Sequence, residues 1–138
     1  MFQYHRLIQF YETDQMGIVH HSNYLRYIEE ARVSWSHSKG LIDYQKPESA
    51  SYFAVVETRV KHVSPARFGD QITIDLQCRR EGNRILFQYR IHMKNGITVA
   101  LVETTHVPVR DMKATKMPQH MRKILEGEVW TETWLSNS

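Results

Sequence analysis

Residues 24–39, YLRYIEEARVSWSHSK, set Tyr24, Tyr27, Ile28, Ala31 and Trp35 at the three- and four-residue spacing of one helical face, with Arg26, Glu29, Glu30 and Arg32 between them. Ser22 or Asn23 is placed to cap the start of this helix by accepting a backbone N–H, and Gly40, which tolerates a left-handed conformation, marks its end. Outward from this segment the period changes from helix to strand. Gln3 to Tyr11 alternates polar and apolar residues, and Glu12 to Asn23 is then rich in Asp, Gly, Ser and Asn, as a loop is. Downstream, Tyr52 to Val63 reads as a strand, and Ser64 to Asp70 supplies a turn. Ile72, Ile74, Leu76 and Cys78 alternate with Thr73, Asp75 and Gln77 before the turn Glu81-Gly82-Asn83.

Ile85, Phe87, Tyr89, Ile91 and Met93 alternate again, and Asn95-Gly96, two residues that accept positive φ, joins them as a hairpin to Ile97 through Val109. Pro118 to Glu126 is expected to form a short helix, and the last residues offer little pattern beyond Trp130 and Trp134. One strand, one long helix and four further strands give an α+β domain spanning 1–138. A single helix covers one face of such a sheet. The other face is expected to meet a second subunit.

A chain of 138 residues with 41% hydrophobic and 24% charged residues suits one globular domain. Its single cysteine, Cys78, builds no internal disulfide, so a reducing cytoplasm is the expected compartment. Residues 1–14 lack the continuous apolar run of a signal peptide, no segment approaches membrane-spanning length, and the mature protein is expected to be the whole chain. The formal charge of +3 is too mild to choose a partner. No zinc-finger spacing, Walker loop or GxGxxG run is present, and the aromatics lie at strand spacing, so nucleic acid is not the expected ligand. His20 and His21 are adjacent, which seldom directs two imidazoles at one ion, and neither a metal nor an organic cofactor is expected.

The loop FYETDQMGIVHHSNY, residues 10–24, carries the chemistry. It brings a carboxylate, Asp14, to the start of a helix, where first-turn N–H groups lack intrahelical partners and the dipole is positive. A developing oxyanion is stabilised at such a place, beside a carboxylate that acts on the same carbonyl. Position alone makes an Asp before a helix a cap or a turn former about three times in four. Gly17 reads as a turn residue whose missing side chain also lets substrate approach, and Tyr24, Tyr27 and Trp35 read as core, with Tyr24 at a pocket edge.

The pattern Thr13-Asp14-x-x-Gly17-Ile18-Val19-His20-His21-Ser22-Asn23-Tyr24, continued by Tyr27, Glu30 and Ala31, resembles the 4-hydroxybenzoyl-CoA thioesterase family. Val60, Pro65-Ala66-Arg67 and Gly69-Asp70 extend the likeness, which covers about the first two thirds of the chain by motif and all of it by element order. At the position of Phe10 many bacterial members carry Tyr, so a possible hydroxyl contact is missing here. The resemblance implies a hotdog fold, in which a curved antiparallel sheet wraps one helix and dimers join their sheets, with active sites between subunits. It implies an acyl-CoA thioesterase in which Asp14 attacks the thioester or activates water while the His21 N–H polarises the carbonyl, the His21 imidazole being a second participant.

Gly17, Val19, Asn23 and Tyr24 are the loop residues expected at the substrate. Arg59, Lys61 and Arg67 are ordinary solvated charges by themselves, and the resemblance turns them into candidate partners for the coenzyme A phosphates. A homo-oligomer is expected, with a tetramer preferred over a dimer. The rival reading is a non-catalytic acyl-CoA-binding or scaffold protein, since fold alone permits it.

Overall fold

Trp35, Tyr27, Ile28, Ala31 and Tyr24, the five apolar positions of the helical stripe, are all buried, and they lie against the inner face of a strongly curved sheet. The structure, a computed structural model, describes residues 1–136. Its elements run β1 (Phe2–Leu7), α1 (Ser22–Ser38), β2 (Phe53–His62), β3 (Gln71–Glu81), β4 (Arg84–Met93), β5 (Thr98–Arg110), β6 (Lys113–Ala114) and α2 (Gln119–Glu126). The sheet is antiparallel in the order β1-β3-β4-β5-β2, with the short β6 paired to β5. This is the α+β hotdog arrangement, with a two-residue strand added to the five that the sequence pattern shows.

The helix ends where expected and starts differently. Gly40 takes φ +76°, its N–H bonds to the His37 carbonyl, and the N–H of the buried Leu41 bonds to the Ser36 carbonyl, a Schellman closure with its hydrophobic seal. At the other end neither Ser22 nor Asn23 is the cap. Both lie inside the first turn, His21 occupies the cap position in helical geometry, and no side chain caps it. The hairpin glycines behave as their sequence context demands, Gly82 at φ +61° and Gly96 at φ +89°. The turn from β5 to β6 uses Asp111 and Met112 at φ 52° and 65°, without the glycine that marks such turns in a sequence.

Alternation along the strands assigns two faces. Ile74, Leu76, Ile85, Phe87, Tyr89, Ile91, Ala100 and Val102 point at α1 and form the core. The opposite face, expected to meet a second subunit, is polar, and the chain's own C-terminal segment lies across part of it. Gln77 and Gln88, cross-strand partners, are both buried there. The Gln77 amide accepts from the Thr131 N–H and hydroxyl and donates to the Glu132 carbonyl, while Gln88 accepts from the Trp134 N–H and donates to the Leu135 carbonyl. Arg79 lies over the Trp130 ring and Arg90 over Trp134, at 4.2 and 4.7 Å.

One inner-face polar chain stands out within the core. Arg32 Nη1 donates to the Tyr89 hydroxyl, which meets Thr104 Oγ1 at 2.7 Å, and Thr104 meets His106 Nε2 at 2.9 Å. His106 is fully buried between the Phe53 and Phe87 rings. Burial, with the nearby Arg32 charge, depresses its pKa to about 3. An unfolded chain binds that proton below about pH 6.5, so between these values the unfolded state holds more protons and stability rises with pH. Between pH 5 and 6 the unfolding free energy should climb by roughly 1.4 kcal/mol per unit from this group. Urea titrations at a series of pH values should show that slope in the parent protein and its loss in His106→Phe.

Candidate active site

Glu12 organises the loop between β1 and α1. Its side chain is 4% exposed and accepts from Arg6 Nη1 at 2.5 Å and from the Gln9 N–H at 2.8 Å. Burial alone would raise the carboxyl's pKa; the Gln9 N–H and the Arg6 guanidinium more than offset this and hold it below the ordinary range. Arg6 also reaches Glu30 on α1 at 2.8 Å and lies over the Tyr27 ring. The Glu12 carbonyl closes the loop, accepting from the His20 N–H at 2.9 Å and from the Asn23 amide at 2.8 Å.

Inside that closure the chain makes a tight turn. Thr13 bridges Val19, the Asp14 N–H bonds to the Ile18 carbonyl at 2.8 Å, and Gly17, at φ +77°, bonds back to the Asp14 carbonyl at 2.9 Å. Asp14 Oδ1 accepts from the Met16 N–H at 2.8 Å, the side-chain turn that Asp commonly forms. Asp14 Oδ2 has no partner among the described residues. The turn is then fastened to the β2–β3 loop, since Ile18 bridges Arg67 and the Val19 N–H bonds to the Ala66 carbonyl at 2.8 Å.

Asp14 opens onto a cleft of about 490 Å³ lined also by Met16, His21, Tyr24, His62 and Pro65. The His20 and His21 rings stack at 4.4 Å, and His62 stands 6.5 Å from the His21 ring and 5.5 Å from Tyr24. Burial pushes the Tyr24 hydroxyl up, opposed by the Ala66 backbone, so it stays neutral at the cleft wall. At the helix start the N–H groups of His20, Ser22, Asn23 and Tyr24 bond to the Glu12 carbonyl, His20 Nδ1, the His20 carbonyl and the His21 carbonyl respectively. Among residues 20–24 only the His21 N–H has no acceptor among the described residues, so one donor is left open beside the carboxylate.

Of the residues singled out in the sequence, Asp14, Val19, His21 and Tyr24 line this cleft, and Gly17 shapes the turn that aims Asp14. Asn23 is buried and spends its amide on the Glu12 carbonyl, so its place is behind the loop. Arg59 faces the outer side of the sheet, bound by Glu103 and by the Ser136 carbonyl, and Lys61 is exposed two residues further along β2. Arg67 alone of the three cations adjoins the cleft, through its bridge to Ile18. His62 was not singled out; an imidazole at the end of an alternating strand carries no local signal, and only the pairing of β2 with β5 brings it to Tyr24.

The turn depends on Gly17 for conformation and not for space, because a Cβ built there meets nothing within 4 Å. Gly17→Val should therefore destabilise by roughly 1–2 kcal/mol, the cost of a left-handed residue. Gly17→Asn should cost clearly less. Urea midpoints of the two variants check this, and equal losses would mean that crowding, not φ, governs the position.

Known proteins resemble this chain in sequence and in fold. A protein of Aquifex aeolicus named "Putative esterase" is 34% identical over 126 residues, covering 91% of this chain and 98% of its own. A 1,4-dihydroxy-2-naphthoyl-CoA hydrolase of Thermosynechococcus vestitus is 29% identical over 108 residues, 75% of this chain and 73% of its own. The crystal structure of a hypothetical protein from Thermus thermophilus superposes with a TM-score of 0.83 at 31% identity, covering 91% of this chain and 98% of its own. The family model of the Thioesterase-like superfamily matches residues 8–125. The chain belongs to the Thioesterase-like superfamily.

Proposed function

We propose that this protein hydrolyses acyl-CoA thioesters, and that it does so as a member of the 4-hydroxybenzoyl-CoA thioesterase group within its superfamily. The observation that carries the reading is the pairing of an unengaged carboxylate oxygen, Asp14 Oδ2, with the single open N–H of the helix start, that of His21, on one cleft. The relatives lend support, one of them bearing the name of a CoA-thioester hydrolase.

The thioester carbonyl oxygen accepts from the His21 N–H, which stabilises the charge that develops there. Asp14 then takes one of two roles. As nucleophile it adds to the carbonyl carbon, expels the CoA thiolate and leaves an anhydride that water opens. As general base it takes a proton from water, whose oxygen adds to the same carbon; the C–S bond then breaks and the proton held by Asp14 passes to the departing thiolate. Both routes end in the free acid and the CoA thiol. The His21 and His62 rings border the path of the attacking water and the leaving sulfur.

A homo-oligomer belongs to this reading. β2 is an edge strand ten residues long whose free side faces solvent, and Val55 and Val56 on it are about half exposed. Such an edge is a template for pairing with a second copy. That contact builds a dimer with the Asp14 cleft beside the seam, since His62 ends β2. The preference for a tetramer over a dimer weakens, because the C-terminal segment already occupies the outer face of the sheet.

The reading is tested by free-thiol release from short, long and aromatic acyl-CoAs. The parent protein should hydrolyse at least one, and Asp14→Asn should keep its fold by circular dichroism while losing at least about a hundredfold in kcat/KM, the scale of a lost general base. His21→Ala, which keeps the backbone N–H, should lose less. An Asp14→Asn variant as active as the parent removes the mechanism, and binding of acyl-CoA without turnover by the parent favours the non-catalytic alternative.

A further inference from the structure

Beside the cleft lies a patch that its chemistry leaves unused. Phe10, Tyr11, Met16 and Phe68 are 73, 77, 74 and 61% exposed, far beyond what large apolar side chains need for folding. Phe10 and Phe68 come from different loops and meet edge to face, with centroids 5.6 Å apart. They are held there by the backbone, because the Ile8 N–H bonds to the Asp70 carbonyl and the Gly69 N–H to the Ile8 carbonyl. A contiguous exposed apolar patch on a rigid support marks a binding surface.

The patch is continuous with the cleft. Met16 and Ile18 line the cleft, Ile18 bridges Arg67, and Phe68 follows Arg67 in the chain. Arg67 is exposed, and among the described residues no carboxylate lies within ion-pair distance of its guanidinium. Outward from Asp14 these contacts link the apolar Met16 and Ile18 of the cleft to Arg67, and Arg67 to the edge-to-face pair of Phe68 and Phe10. That is the order of groups along coenzyme A: the pantetheine arm, the phosphates, and a purine with a π-face on each side.

On the basis of the thioesterase reading, we infer that Phe10 and Phe68 form a platform for the adenine of coenzyme A, with Arg67 between platform and cleft as a phosphate contact. Aromatic side chains stack on a base without reading its edges, and a guanidinium takes two phosphate oxygens at once. The platform makes the nucleotide, and not the acyl group alone, a determinant of affinity. A thioester carried on a protein-bound phosphopantetheine lacks the adenine and gains nothing from it.

The test compares one acyl group presented as its CoA thioester and as its pantetheine thioester, using the acyl-CoA that turns over fastest. In Phe10→Ser/Phe68→Ser, whose altered side chains are exposed, KM for the acyl-CoA should rise about tenfold, the scale of one lost stack. KM for the acyl-pantetheine and kcat for both should not change, and Phe10→Tyr/Phe68→Tyr should restore the parental KM. Adenosine 3′,5′-bisphosphate, titrated by calorimetry, should bind the parent and bind the serine variant about tenfold more weakly, a measurement independent of turnover. If neither thioester is hydrolysed, the thioesterase reading fails while this titration still decides the platform. Equal KM changes for both thioesters, no change for either, or a shift in oligomeric state on size exclusion would overturn the inference, the last because it would make the patch a contact between copies.

Discussion

The buried pair of Arg6 and Glu12 is the constraint on which the site depends. Arg6 belongs to β1, Glu12 to the loop, and Glu30, the second partner of Arg6, to α1. One guanidinium thus fixes the strand, the loop and the helix relative to each other. Removing Arg6 is the costlier loss, because the buried Glu12 carboxylate then keeps only the Gln9 N–H, whereas Arg6 without Glu12 still has Glu30. The backbone of Glu12 does the complementary work, holding His20 and Asn23 through its carbonyl, so that the positions of Asp14 and His21 both derive from one residue.

The fold was legible because its signals are local. The stripe on α1, the alternation along β3, β4 and β5, and the Asn95-Gly96 turn each follow from periods or φ preferences that a short window contains, and element bounds fall within a few residues of the pattern. The helix start was misread for an instructive reason. Ser22 and Asn23 have the composition of caps, yet other partners claimed both: His20 Nδ1, two residues earlier, meets Ser22 Oγ at 2.8 Å, and the Glu12 carbonyl holds Asn23. The His20 side chain takes the Ser22 N–H and no side chain takes that of His21, so the failed local rule leaves an N–H without an acceptor among the described residues on the cleft of Asp14.

What the sequence could not show was long-range. Gln77 and Gln88 sit at the polar positions of alternating strands and read as solvent-facing, but each is buried by a segment more than forty residues later. Trp130 and Trp134 had no readable period because their partners are the guanidinium planes of Arg79 and Arg90 on two different strands. Arg59 belongs to the same lesson. The family resemblance made it a candidate phosphate contact, while the cross-strand register sets it opposite Glu103 on the outer face.

The geometry of Asp14 accommodates both the plain reading and the proposed chemical reading of an aspartate ahead of a helix. A turn former needs one carboxylate oxygen, and Oδ1 fills that role with the Met16 N–H. Chemistry on a carbonyl needs one more, and the turn leaves Oδ2 without a partner among the described residues, on a side chain that lines the cleft. In the proposed mechanism the two uses support each other, since the hydrogen bond that shapes the turn also restrains the rotamer that presents the second oxygen, and a preset orientation lowers the entropy cost of attack. Glu12, two residues earlier, shows the contrary arrangement: a carboxylate enclosed by a guanidinium and a backbone N–H, with its charge fully spent on structure. The loop carries two carboxylates, one fully engaged and one with an open oxygen, and the difference between them is burial and pairing, not residue type.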